Sequence, residues 1–282
     1  MAKSNAANWS REDSVSPAFT QADSVFSPRF CAVLRYPALE LKPADARVVQ
    51  AYEAVAFLRR SQLIESWVVQ PAARLLMSDW RLDLPPHIRR AAAAQLSEES
   101  NHTIKQWFMA EAIEATWPSI RADGLSAYIR QEPQGLTSPA SDERILGRGI
   151  AVELIEGAVL NGQSFDVAAP MQTLLSHHAM EEAIHRLFAL YQADAVAWAL
   201  RSDERGLEQF ARGLAEGANI YATPSSTASR LALCHLGWPP NQARLIAEEA
   251  AERGASEARE LVNKSLKILE GTNAAGLVGQ IG

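Results

Sequence analysis

The sequence predicts an all-α chain, a four-helix bundle core with additional helices after it. Three observations carry that expectation. Long stretches of Ala, Leu, Glu, Arg and Gln are punctuated by Pro and Gly. No run of alternating β-branched residues appears. Inside two of the helical stretches, Glu and His recur three residues apart, a spacing that puts both on one helix face. With 282 residues, 48% of them hydrophobic, the chain is long enough to bury a sizeable core.

The elements follow in order. Residues 1–30, rich in Ser, Ala, Asn and Asp, are expected to form a poorly ordered arm that packs on the body through Phe19, Phe26 and Phe30. Residues 31–270 are expected to form a single helical domain, and the Gly-rich tail 271–282 to be loose. The first helix is predicted from Pro43, suited to a first turn, to Gln70, where Pro71 stops it. Val48, Tyr52, Val55, Leu58, Ile64 and Val68 recur along it at helical spacing. The second runs from Pro86 to Trp117, between Pro85 and Pro118. Residues 131–140 read as a loop. The third helix starts at Ser141, an N-cap followed by acidic residues, and stops at Asn161-Gly162. The fourth runs from about Pro170 to Arg201, and further helices are expected over 203–220, 226–236, 239–254 and 255–270.

Composition removes several function classes. The formal charge is −6 and no basic run occurs, so nucleic acid is not an expected partner. Two distant cysteines, Cys31 and Cys234, make neither a disulfide framework nor a thiolate metal site and fit a reducing cytoplasm. The N-terminal stretch has no apolar segment of the signal-peptide kind. No apolar run approaches the ~20 residues that span a bilayer, so no membrane association is expected.

The chemistry lies in Glu99-Ser-Asn-His102, midway along the second helix, and Glu182-Ala-Ile-His185, midway along the fourth. One such pair is weak evidence. Two copies match the di-metal carboxylate bundles, in which the other two helices each add one inward glutamate. Ligands at one height on neighbouring antiparallel helices should be separated by about 25–35 residues. Glu65 lies 34 residues before Glu99, whereas Glu53 lies 46 before it and fits poorly. Glu65 also has apolar flanks in QLIESWVVQ, a costly setting for an unpartnered carboxylate. On the third helix, Glu153 and Glu156 lie 29 and 26 residues before Glu182. Glu153 is the preferred ligand. Glu156, one turn along the same face, is either a neighbour of the ligands or an alternative ligand. A ferritin-like four-helix bundle holding two metal ions is therefore expected, against a plain helical bundle with buried ion pairs.

Both motifs are doublets, Glu98-Glu99 and Glu181-Glu182. A ligating His donates its other ring N–H to a carboxylate or similar acceptor. In a pseudo-twofold bundle Glu181 can reach His102 and Glu98 can reach His185. Glutamates facing solvent are the alternative. In HHAMEEAIH (177–185), His178 shares a face with Glu182 and His185, and His177 falls about 100° away.

At these residues the sequence resembles the p-aminobenzoate N-oxygenase family, the arylamine oxygenases of aureothin and chloramphenicol biosynthesis, in which the fourth ligand helix adds a third His. The resemblance spans roughly residues 45–200 and rests on Glu65, Glu99, His102, Glu153, His178, Glu182 and His185. It implies a diferrous site that binds O2 as a peroxo-diferric species and oxidises an amine nitrogen in natural product biosynthesis. It also implies a homodimer. Carboxylate and imidazole ligands suit two Fe ions, with Mn/Fe as a variant. Electrons are expected from an external reductase or reductant, because no flavin, nicotinamide or Cys-cluster signature occurs. Leu58, Gln62, Val69, Gln106, Met109, Val152 and Leu160 are candidate pocket residues. The alternatives are a di-iron carbon hydroxylase or desaturase, a ferroxidase or radical-generating subunit, and a helical scaffold without activity.

Overall fold

The computed structural model describes residues 17–131, 140–161 and 166–278. The first part of the expected arm, most of the 131–140 loop, Gly162 and the last four residues lie outside the described residues. The described chain is helical without strands, and none of its helices is long and apolar enough to cross a membrane. The four principal elements are α1 (Pro43–Ile64), continued through α2 (Gln70–Ser78); α3 (Pro86–Thr116); α6 (Asp142–Leu160); and α7 (Ala169–Ala199). Short helices α4 (Ser119–Ala122) and α5 (Leu125–Gln131) lie between α3 and α6. Helices α8 (Glu204–Ala222), α9 (Thr227–His235), α10 (Pro240–Leu266) and α11 (Ala275–Val278) follow the bundle.

Each bundle helix is apolar at both ends of its buried face and polar in the middle. On α3, Ile88 and Ala92 enter one apolar core, and Met109 and Ile113 the other. Between them the buried positions are Gln95, Glu99, His102 and Gln106. On α7 the order is reversed: Leu174 and Leu175 precede His178, Glu182 and His185, and Ala189 and Val196 follow. A polar layer is thus enclosed between two apolar cores.

Helix α6 is buried from Leu146 through Glu156, as expected of a helix covered on all sides. Ser141 caps it by accepting a hydrogen bond from the Arg144 N–H. Helix α8 lies against it at glycine contacts. A methyl at Gly147 would meet the Phe210 carbonyl, and one at Gly213 would meet the Arg144 carbonyl. Arg148, buried on α6, pairs through Nε with Glu216 of α8 at 2.5 Å.

The structure departs from the sequence expectations in four places. Pro71 does not stop the first helix. A π-helical turn, Glu65–Val69, precedes it, and the chain then continues as α2. The wider turn shifts the carbonyls of the preceding turn away from the proline ring, which has no N–H to bond. Pro240–Leu266 form one helix, not two, because Gly254 is tolerated inside α10. Within the arm, Val25 and Phe26 are buried while Phe30 is 40% exposed, and Ser24 accepts a backbone bond from Ala168 at 2.7 Å. The start of the tail is anchored: Asn273 donates from N and Nδ2 to Asp194, each at 2.8 Å, and Ala274 is buried.

Two glycines should respond oppositely to alanine. Gly213→Ala should lower stability by about 2 kcal/mol, since forcing two helix backbones apart outweighs the helix-propensity gain of about 1 kcal/mol. Gly254 has no atom within 4 Å of an added methyl, so Gly254→Ala should raise stability by about 0.5–1 kcal/mol. Urea unfolding of the two variants measures both changes, and equal effects would contradict the close α6–α8 packing.

Candidate metal centre

The polar layer draws on all four bundle elements. The π-helical turn supplies Glu65, α3 supplies Glu99 and His102, α6 supplies Glu153, and α7 supplies His178, Glu182 and His185. None of the seven is more than 2% exposed. Their donor atoms fall into two groups. Glu65, His102 and His178 form one, and Glu99, Glu153, Glu182 and His185 the other, with the ligand atoms of each group within 4.8 Å of one another.

Two glutamates face both groups. Glu99 turns Oε1 to His185 Nδ1 at 2.7 Å and Oε2 to His102 Nδ1 at 3.4 Å. Glu182 Oε1 lies 3.5 Å from His102 Nδ1, 3.3 Å from His178 Nε2 and 3.3 Å from His185 Nδ1. These positions suit carboxylates shared between two ions.

The outer ring nitrogens are held crosswise. His102 Nε2 lies 2.7 Å from Glu181 Oε2, and His185 Nε2 lies 2.7 Å from Glu98 Oε2. Each such bond fixes the tautomer and leaves Nδ1 facing inward as a donor. His177 is exposed on the outer side of α7.

The inward atoms lack hydrogen-bond partners. Glu99 Oε1, Glu153 Oε2, both Glu182 oxygens, His178 Nε2 and His185 Nδ1 are buried and form no hydrogen bond among the described residues. Unsatisfied buried polar atoms are rare, and six converging on one space mark a place for cations. No ion pair links a Lys or Arg to Glu65, Glu99, Glu153, Glu156 or Glu182 among the described residues. Two divalent ions would balance the four carboxylates of the two groups, and oxygen with imidazole donors suits Fe(II) or Mn(II). The buried clusters can therefore hold a di-metal site.

The titration of these groups reflects the crowding of negative charge. Burial, then the charges of Glu99 and Glu182, pushes Glu153 up to about 8. Burial likewise holds Glu65 and Glu156 well above the usual carboxylate range. Burial opposes ionisation of Glu99 and Glu182 too, but the histidines beside them pull both below that range. Burial alone would lower His102 and His185, yet the surrounding glutamates raise both. Burial, with the His102 charge, lowers His178.

Glu156 belongs to neither group. It accepts from Ser61 Oγ at 3.2 Å, and the same hydroxyl lies 3.2 Å from Glu65 Oε1. Gln106 donates to Glu65 Oε1 at 2.6 Å and to Ser61 at 2.9 Å, and Thr103 donates to Glu65 Oε2 at 3.0 Å. One hydroxyl hydrogen cannot serve both, so Ser61 donates to Glu65 or to Glu156 at any one time. The Tyr221 hydroxyl of α8 is buried beside Glu156; burial and that carboxyl raise its pKa.

Ser61 and Glu156 lie on the wall of a cavity of about 590 Å³. Phe26, Phe57, Leu160 and Tyr221 line it, with Ala247 and Leu261 of α10 on the far side. Of the seven candidate pocket residues, only Leu160 is on this wall. Leu58, Val69, Met109 and Val152 pack in the apolar cores. Gln62 is an acceptor for Arg59 at 3.4 Å, and Gln106 holds Glu65. Choosing pocket residues by ligand face could not find a wall built from the arm, α8 and α10. Ser61 did carry a signal, since it lies one helical turn before Glu65. Tyr221 carried none. Glu53 stands away from both groups and accepts from Ser229.

The proton inventory sets a pH dependence for the metal-free protein. Glu65, Glu153 and Glu156 keep protons when folded that the unfolded chain releases near pH 4.3. His102 and His185, with raised folded pKa values, also hold protons above the unfolded value of about 6.5. His178, lowered, acts with the opposite sign, but only below about pH 6.5. From about pH 6.5 to 8 the folded chain binds more protons than the unfolded one, so stability should fall as pH rises. The Tm of chelator-treated protein should therefore drop across that window, while Mn(II)-loaded protein, its protons displaced, changes less. A metal-free Tm that climbs with pH would overturn this account. No protein-family model matches the chain, and no curated protein is found to be similar to it.

Proposed function

We propose that the chain is a non-haem di-iron oxygenase that uses O2 to oxidise the nitrogen of an amine, with an aryl amine as substrate. The observation that carries this reading is His178. It adds a third donor to the group of Glu65 and His102, so α7 alone provides two histidines and a shared carboxylate. The resemblance to the arylamine oxygenases rests on the same residue.

The bound irons would supply O2 activation and two-electron oxidation, with an external reductant restoring their charge. The protein does the rest. Glu98 and Glu181 hold the His185 and His102 rings in one orientation. Gln106, Ser61 and Thr103 hold Glu65. Phe26, Phe57, Leu160 and Tyr221 offer an aryl ring apolar contacts on a wall that also carries Arg35, Glu53 and Arg60. At the cavity wall burial favours the neutral form of the Glu156 carboxyl, 3.2 Å from Ser61 Oγ and next to Glu65. A proton can therefore pass between the cavity and Glu65 without bulk water.

The product decides the reaction. Protein loaded anaerobically with Fe(II), then given O2, a chemical reductant and a panel of arylamines, should form hydroxylamine, nitroso or nitro compounds detectable by mass. Products hydroxylated on carbon would make the chain a carbon oxygenase instead. Absence of any oxidised amine at about two irons per chain would sink the proposal.

Substitutions should separate the third-helix glutamates. Glu153→Ala should reduce iron to about one per chain. Glu156→Ala should retain about two while product formation falls roughly 10-fold or more. His178→Ala should keep the fold and most of the iron but lose turnover by a similar factor. Equal iron content in the Glu153 and Glu156 variants would mean that the ligand has been misassigned.

A further inference from the structure

One hydroxyl on the cavity wall has no hydrogen bond to give it a role in the fold. Among the described residues that line the cavity, only Tyr221 carries a buried polar side-chain atom without a hydrogen bond. Its polar neighbours on the wall are engaged. Ser61 and Glu156 are bonded to each other at 3.2 Å, Glu53 accepts from Ser229, and Arg35 pairs with Glu257 at 3.0 Å. A phenol hydroxyl donates one hydrogen bond and accepts another, and a buried one that does neither is costly. The Tyr221 ring is held in place. It stands one residue from the end of α8 and packs against the apolar cluster of Ile64, Val68, Val69 and Val152.

The hydroxyl also stands at a particular end of the cavity. Along α1 the wall is formed by Glu53, Phe57 and Ser61, one residue per turn. A rise of about 1.5 Å per residue sets Glu53 and Ser61 about 12 Å apart. The Arg35–Glu257 pair, 44% and 68% exposed, marks the open side of the cavity. Ser61 and Glu156, both buried, mark the closed side. Tyr221 belongs to the closed side, where burial and the Glu156 charge raise its pKa and keep it a neutral phenol.

We propose that Tyr221 Oη accepts an N–H of the substrate's amino group and seats that nitrogen at the closed end of the cavity, which selects primary aryl amines. The proposal rests on the reading of the chain as an amine oxygenase. The N–H would approach Tyr221 Oη to about 2.9 Å, with the aryl ring between Phe57 and Leu160. The nitrogen then lies beside Ser61 and Glu156, next to Glu65. A methyl group in the same place leaves the hydroxyl without a bond. A site built to bond an N–H rejects the analogue that lacks it more strongly than size alone would. Because the hydroxyl makes no hydrogen bond in the ligand-free protein, its loss should not destabilise the fold, which separates a substrate contact from a structural one.

Titration calorimetry on the Mn(II)-loaded full chain under nitrogen tests this without turnover. The probes are 4-aminobenzonitrile and 4-methylbenzonitrile, alike in size and differing in the N–H. Wild type should bind the amine more tightly. Tyr221→Phe should weaken the amine about 3–10-fold and change the methyl analogue less than about 2-fold. The Tm of ligand-free Tyr221→Phe should equal or exceed that of the wild type. Equal changes for the two probes would overturn the proposal, as would a wild type that binds neither. So would a clear drop in Tm, which would make the hydroxyl a structural bond to Glu156. Oxidised nitrogen in the product assay, with both probes bound by Tyr221→Phe as by wild type, would remove the Tyr221 contact and leave the oxygenase reading standing. Loss confined to the amine, with products hydroxylated on carbon, would remove that reading and leave the contact standing.

Discussion

Five glutamates, Glu65, Glu99, Glu153, Glu156 and Glu182, meet in one buried layer, and no Lys or Arg forms an ion pair with them among the described residues. Two carboxylates about 4 Å apart repel by about 4 kcal/mol at an effective dielectric of 20. The layer cannot hold all five charges on its own. Either protons stay on Glu65, Glu153 and Glu156, or cations take their place. The rest of the architecture follows from this constraint. The histidines are turned inward by carboxylates behind them, the layer is closed above and below by apolar cores, and α6 is surrounded so that its two glutamates are buried.

The two apolar cores explain why the motifs stand at mid-helix. Helices α3 and α7 are 31 residues each and antiparallel, so a polar layer at their centres leaves an equal apolar length on either side. Hydrophobic burial at the ends stabilises a bundle whose middle contributes little without metal. The later helices serve the same end. Helix α8 meets α6 at glycines and through the Arg148–Glu216 pair, which removes the exposed side that a four-helix bundle would leave on α6.

Much of this was legible because helical spacing and chemical cost point the same way. Glu65 could be singled out from its apolar flanks and its distance from Glu99. Glu153 and Glu156 could be narrowed to a pair, since both lie on one face of an apolar segment. The doublets allowed crosswise partners or solvent, and in the structure His102 pairs with Glu181 and His185 with Glu98. What escaped depends on tertiary contacts with no local signature. The π turn at Glu65–Val69 exists because Pro71 follows it inside a helix that packing keeps continuous. The cavity wall comes from the arm, α8 and α10, so no reading confined to the ligand helices could assemble it. Tyr221 reaches Glu156 from α8, at an offset that only packing sets. Gly254 reads as a break, but α10 is held by its own apolar face and absorbs the glycine.

The pseudo-twofold of the bundle also shows where the two donor groups differ. Superposing the Glu-Glu-x-x-His motifs pairs Glu98 with Glu181, Glu99 with Glu182 and His102 with His185. By the same shift His178 falls on Gln95. Gln95 is not turned to the metal groups: its Oε1 accepts from Gln192 at 3.0 Å. The group of Glu65 therefore has two imidazoles where the group of Glu153 has one. The hydrogen bonds are uneven in the same direction, since Gln106, Ser61 and Thr103 all converge on Glu65. The cavity touches this side through Ser61 and Glu156. Neutral donors, the fixed carboxylate and access to a ligand all concentrate at one of two sites that the paired motifs alone would make equivalent. The departure from symmetry at His178, more than the symmetry itself, gives this bundle a chemically distinct side.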